Sequence, residues 1–182
     1  GLTRSVATGR TAALDARAMR WVDGHSTNWL DRAAVEVTTL GDAVVVAAVA
    51  LVAATLLWQT SRRAYAALVA AAVGGAWGLG AVLKEVFDRP RPRLIEWGVH
   101  DVTSSSYPSG HATLSMALAA VLAYVVYRLS GRRSVGAAAG LVGGAAVLLV
   151  GLSRVYLGVH YPTDVIAGNV IGFSWATFCA LG

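Results

Sequence analysis

Five stretches of this chain carry no charged residue. They are residues 43–61, 64–83, 102–127, 134–153 and 165–182, and the third turns strongly apolar from Ala112. Each comes close to the ~20 residues that cross a ~30 Å hydrocarbon layer as a helix rising about 1.5 Å per residue. A span in lipid must satisfy its own backbone hydrogen bonds, so each stretch is expected to be helical. The pattern predicts an all-α, polytopic transmembrane helix bundle with five spans, or six if the N-terminal segment also crosses. Gly74, Gly75, Gly78 and Gly80 in the second span, with Gly136, Gly140, Gly143 and Gly144 in the fourth, would let helix backbones approach closely.

Residues 1–41 follow a different pattern. Asp15, Arg17, Arg20, Asp23, Asp31, Arg32 and Glu36 interrupt every apolar run. Apolar residues recur near helical spacing at Leu14, Ala18, Trp21 and Val22, then at Trp29, Leu30, Ala33 and Val37. This predicts one or two amphipathic helices lying at the membrane interface. Two regions are therefore expected: interfacial helices over 1–41 and the transmembrane bundle over 42–182.

Composition supports a membrane protein. Of 182 residues, 56% are hydrophobic and 14% charged, with a mean hydropathy of +0.59. Water-soluble domains run near a quarter charged. The net charge of +5 raises the question of nucleic acid. Its basic residues punctuate apolar runs and do not cluster with aromatics on one face, so no nucleic-acid partner is expected. Cys179 is the single cysteine and cannot form an internal disulfide.

Charge asymmetry orients the spans. Arg62 and Arg63 join the first two, and Arg128, Arg132 and Arg133 join the third and fourth, with no acid in either link. The positive-inside rule puts these links on the cytoplasmic face. The links over 84–111 and 153–164 then share the opposite face, and the unusual polar residues lie there.

Three segments on that face carry candidate chemistry. The first runs from Lys84, the only lysine, through Asp88-Arg89-Pro90-Arg91-Pro92-Arg93. Its Arg-Pro steps stiffen the chain, and arginine forks match phosphate oxygens while lysine supplies a point charge. The second is Tyr107-Pro108-Ser109-Gly110-His111, just before the third span. Ser109 is expected to cap that helix, so the N–H groups behind it form an anion site that Gly110 lets a ligand approach. The third runs from Ser153-Arg154 through His160-Tyr161-Pro162-Thr163-Asp164. A carboxylate four residues after a histidine can fix its tautomer and free the other ring nitrogen to attack. The three segments hold no cluster suited to a metal, so no metal or other cofactor is expected. Fixed cations, a nucleophile and an acid are what phosphoryl transfer without a metal requires.

These motifs resemble those of the type 2 phosphatidic acid phosphatases, a superfamily shared with vanadium haloperoxidases and certain bacterial acid phosphatases. That family's pattern is Lys, six residues, Arg-Pro; then Pro-Ser-Gly-His; then Ser-Arg, five residues, His, three residues, Asp. Lys84 with Arg91-Pro92, the run Pro108 to His111, and Ser153-Arg154 with His160 and Asp164 meet it at every position. The resemblance implies that His160 attacks phosphorus, Asp164 orients it, and His111 protonates the leaving oxygen. It implies that Lys84, Arg91 and Arg154 hold the phosphate with Ser109 and Gly110. The expected activity is hydrolysis of a lipid phosphomonoester or pyrophosphate in the bilayer through a phosphohistidine. Polyprenyl diphosphate, phosphatidylglycerophosphate and phosphatidate are lipids of that type. A lipid phosphotransferase would use the same residues, and a vanadate-dependent haloperoxidase the same cage. Asp88, Arg89 and Arg93 fall outside the pattern and are read as outlying or headgroup contacts; His25 and His100 are read as surface histidines.

Overall fold

A computed structural model describes residues 6, 9–92 and 105–182, and every regular element among them is helical. Helices α1 (Ala12–Asp23) and α2 (Asn28–Thr38) precede a single 3-10 turn over Thr39–Gly41. Then come α3 (Ala43–Gln59), α4 (Arg63–Phe87), α5 (Gly110–Ser130), α6 (Arg133–Tyr156) and α7 (Pro162–Leu181). Arg93 and His100, both singled out in the sequence, lie outside the described residues.

Helices α4 to α7 are each long and apolar enough to cross a membrane. Helix α3 has 17 residues and reaches that length only together with α2, from which it is bent by 44°. The chain is a multi-pass membrane protein with, among the described residues, four such spans, or five when the bent pair is counted. Each long helix runs past its charge-free stretch: α4 keeps Lys84 and Glu85, and α6 keeps Arg154. The reason is that loss of charge marks the hydrocarbon, whereas backbone hydrogen bonding continues into the polar zone. Outward-facing Leu51, Leu141, Leu148 and Phe173 are exposed in the isolated chain, as lipid-facing residues would be.

Helix α5 is the central element, packed on α3, α4, α6 and α7. Val46 and Val69 meet Ala72, Leu114, Ala117 and Val121 in the core beneath the polar end. Helices α5 and α7 approach each other closely at two glycines. A side chain at Gly172 would strike the Thr113 carbonyl and come within 3.1 Å of the Ala117 nitrogen; one at Gly168 would lie 2.6 Å from the Ser109 carbonyl. This Gly-x-x-x-Gly spacing seats the helix bearing Asp164 directly on the helix bearing His111. The obstructing atoms are backbone and cannot step aside. Gly172→Ala is expected to destabilise the bundle by about 1–3 kcal/mol, the scale of overpacking, seen as a lower midpoint of thermal unfolding in detergent. Of the eight glycines expected to pack closely, Gly75 lies against Trp175, Gly136 against Tyr127 and Gly143 against Ala119, while Gly74, Gly78, Gly80, Gly140 and Gly144 face open space.

Only part of the apolar stripe of the N-terminal helices faces the bundle. Leu14 and Trp21 are 70% and 62% exposed, while Asp15 is 1% exposed, alongside buried Met19 and Val22. In α2, Asp31 is buried and Trp29 exposed. The carboxylates turn inward because they find partners there. Tyr156 donates its hydroxyl to Asp31 at 2.8 Å, and Arg89 pairs with Asp15. Buried charge of this kind persists only when it is paired.

Candidate active site

The site forms where the ends of α4, α5, α6 and α7 meet. Asp88 closes α4 in the left-handed region (φ +31°), a conformation aspartate tolerates better than most residues. The following segment, Arg89 to Pro92, is strapped to residues 105–107. Ser106 donates its N–H to the Arg89 carbonyl at 2.7 Å, and Arg89 donates its own to Ser105 Oγ at 2.9 Å. Arg91 is thereby aimed inward: its Nη1 donates to the Val159 carbonyl at 2.9 Å and lies 3.2 Å from His160 Nε2.

Ser109 caps α5, its side chain accepting from the Ala112 N–H at 3.5 Å. Its own N–H donates to the Asp164 carbonyl at 3.1 Å, which ties the start of α5 to the start of α7. Lys84 Nζ lies 3.9 Å from where a side chain on Gly110 would begin. Arg154, in the last turn of α6, is buried. It donates from Nη1 to Thr38 Oγ1 at 3.0 Å, and its Nε has no hydrogen-bond partner among the described residues. His111 is half-buried on the first turn of α5, close to Gly41.

His160 is 2% exposed and Asp164 fully buried. His160 Nδ1 lies 2.8 Å from the Ser106 carbonyl. A carbonyl can only accept, so Nδ1 carries the hydrogen and Nε2 carries the lone pair. Asp164 Oδ2 stands 3.7 Å from Nδ1, beyond hydrogen-bond length, and accepts from Ser106 Oγ and from the Tyr161 N–H at 2.9 Å. The carboxylate thus reaches the ring by charge and through the Ser106 residue, in place of the direct hydrogen bond that the spacing suggests.

Burial holds the His160 imidazole at about 4, below its ordinary 6.5; Arg91 and Arg154 act in the same direction, and Asp164 opposes them. The ring is therefore neutral across the physiological range. Attack requires that neutral form, which is present above about pH 4 and lost as pH falls through it. The acid limb of kcat/KM, corrected for ionisation of the substrate phosphate, is expected near pH 4; a limb at 6.5 would contradict the burial argument.

The structure brings together Lys84, Arg91, Ser109, Gly110, His111, Arg154, His160 and Asp164, all expected from sequence. It adds Asp15, Arg89, Ser106 and Thr163, which the motifs do not assign to the site. The proximity of Arg89 to Arg91 was a signal for one of these. Asp15 carried none, because its partners are remote in sequence. His25 is exposed and stacks on Trp21 with ring centroids 4.6 Å apart. No three His, Cys, Asp or Glu side chains among the described residues are grouped to hold a metal.

Residues 64–182 match the family model of the PAP2 superfamily. The chain belongs to the PAP2 superfamily. It is 39% identical over 98 residues to phosphatidylglycerophosphatase B of Bacillus subtilis, a match taking in 52% of this chain and 46% of that protein. It is 30% identical over 167 residues to undecaprenyl-diphosphatase BcrC of the same organism, covering 86% and 79%. The chain thus spans about half the length of the first of these relatives. Among solved structures, the transmembrane PAP2-type phosphatidylglycerolphosphate phosphatase from Bacillus subtilis superposes with a TM-score of 0.89 at 26% identity, covering 98% of this chain and 89% of that one. PAP2 membership and the bundle of membrane helices both accord with what the motifs and charge-free stretches imply.

Proposed function

We propose that this PAP2 protein is a membrane lipid phosphatase in which His160 Nε2 attacks phosphorus. The observation that carries the reading is the Nδ1–H directed at the Ser106 carbonyl, which leaves Nε2 unprotonated beside Arg91. A bond forms from Nε2 to phosphorus as the bond to the leaving oxygen breaks, and His111 gives that oxygen a proton. Water then cleaves the phosphohistidine, with His111 accepting its proton. Lys84, Arg91 and Arg154 neutralise the charge on the phosphoryl oxygens, the free Nε–H of Arg154 among the donors. Ser109 and the Gly110 N–H complete the cradle at the α5 N-terminus. No metal is needed for any of these steps.

The substrate class follows from location. A cleft of about 260 Å³ lies between α3, α4 and α5, lined by Ala43, Ala76, Trp77 and Ala81 and reaching Lys84 and His111. Its apolar walls suit the hydrocarbon side of a lipid phosphate. A larger apolar groove of about 540 Å³ between α1 and α6 contains none of the site residues. The arginines of the α3–α4 and α5–α6 links favour a site on the extracytoplasmic face of the cell membrane. Polyprenyl diphosphate and phosphatidylglycerophosphate are the leading substrates, in line with the names of the two relatives; phosphatidate and diacylglycerol pyrophosphate complete the set. Phosphate release from these four lipids by the detergent-purified protein, in EDTA, tests the reading. Release from one or more supports it. Release only after Mg²⁺ is restored would overturn the metal-free mechanism, and transfer of the phosphoryl group to a second lipid would make the protein a phosphotransferase.

A further inference from the structure

The family match begins at residue 64, yet the site does not. Asp15 of α1 is almost completely buried and, among the described residues, holds three donors. Arg89 Nη2 donates to it at 2.8 Å, Thr163 Oγ1 at 2.7 Å and the Thr163 N–H at 3.2 Å. The last is a backbone N–H in the first turn of α7, so a carboxylate from the first helix caps the last one. Arg89 in turn bridges Asp15 and Asp164: its Nη1 donates to Asp164 Oδ1 and, at 3.0 Å, to Thr163 Oγ1. The guanidinium also lies over the Tyr161 ring, 4.2 Å from its centre. Asp15 is therefore joined to His160 through one cation and one carboxylate, every member at least partly buried. Two carboxylates share a single guanidinium, and each limits how much of its charge the other receives.

We infer that Asp15 is a positioning residue for the reaction, setting through Arg89 and Thr163 the place and charge of Asp164 behind His160. Without the Asp15 charge, Arg89 leans wholly on Asp164 and neutralises it more fully. The imidazole ring then loses part of the negative field that favours its attack and stabilises the positive charge it gains on phosphorylation. The first turn of α7 loses its cap at the same time. The other groups facing the ring, Arg91 from the α4–α5 link and Arg154 from α6, are cations and cannot substitute. The effect falls on turnover, because neither Asp15 nor Arg89 is among the groups assigned to hold the phosphate.

This inference rests on the phosphatase reading, and its test has one arm that does not need activity. Asp15→Asn, Arg89→Gln and the double variant are compared with wild type in detergent. For Asp15→Asn, kcat is expected to fall on the order of 10- to 100-fold, the loss seen when groups orienting metal ligands are removed, with KM changed less than about threefold. In the Arg89→Gln background the same change should cost less than about twofold, since the path is already cut. Tyr156→Phe, which loosens α2 from α6 at Asp31, should lower the unfolding midpoint with kcat within about twofold of wild type. In the second arm, ¹⁵N-histidine NMR reads His160 directly: one Nδ1–H tautomer in wild type, and a mixed tautomer or displaced titration in Asp15→Asn. A full loss of kcat in the double variant beyond Arg89→Gln, or an unaltered His160 signal in Asp15→Asn, would overturn the inference. Should wild type release no phosphate from any lipid, the function reading fails, and the NMR arm still decides whether Asp15 controls His160.

Discussion

Replacing His160 with alanine is expected to reduce phosphate release on the order of 10⁴-fold or more, the scale on which loss of a nucleophile is felt. The size follows from what remains. Lys84, Arg91 and Arg154 would still gather a phosphate, but the nitrogen beside Arg91 is gone. His111 does not replace it, standing at the start of α5 against Gly41, where the proposed mechanism has it serve the leaving oxygen. The ring's removal leaves the Ser106 carbonyl without its 2.8 Å partner and opens a space behind Arg91. Some stability is lost as well, so rates are to be referred to the folded fraction measured by thermal unfolding. Substrate binding should persist, seen as competition by the His160→Ala protein for lipid in a mixed assay. The acid-labile phosphoryl adduct trapped from wild type by rapid quench should be absent from the variant. A residual rate above a few per cent of wild type would sink the assignment of His160 as nucleophile.

The second large effect is expected at Asp164. Its carboxylate is fully buried and accepts from Ser106 Oγ, the Tyr161 N–H and Arg89. Each of these partners is a donor, so an amide cannot replace the carboxylate: whichever way the new side chain turned, its NH₂ would face another donor. Asp164→Asn is expected to lower kcat by about 10²- to 10⁴-fold, the upper figure being the loss measured when an orienting aspartate is made an amide in serine proteases. It should also cost about 1–3 kcal/mol of stability, the penalty for buried donors left unmatched. The carboxylate's negative charge offsets part of the repulsion among Lys84, Arg91 and Arg154, and the amide would remove that as well. Turnover by Asp164→Asn within about threefold of wild type would show that the 3.7 Å gap to His160 isolates the two groups.

Much of the site could be read from the sequence because its parts are local. Ser109 before Gly110-His111 marks a helix start, and the structure caps α5 there. Pro162 ahead of Asp164 marks another, and α7 begins at that proline. The charge-free stretches located α3, α4, α6 and α7 to within a few residues, whereas the third has a serine-rich beginning that lies before α5. What could not be read depends on pairings between distant segments. The apolar stripe of α1 was visible, but its direction was not, because an amphipathic helix at a membrane has two apolar neighbours: lipid and bundle. Leu14 and Trp21 face outward, while Asp15 and Asp31 face inward to Arg89 and Tyr156. Gly168 and Gly172 do not stand out among twenty glycines, since only the seat of α7 on α5 distinguishes them from those facing open space.

The hydrogen bonds between Asp15 and Thr163 span 148 positions, from the first described helix to the last. A chain still emerging from the ribosome carries Asp15 and Arg89 well before Thr163 and Asp164 are made. Until α7 is threaded and seated, Arg89 has only half of its carboxylate pair and His160 lacks Asp164 behind it. On the proposed mechanism, chemistry begins only once α7 is seated on α5, so catalytic activity would itself report the insertion of that helix.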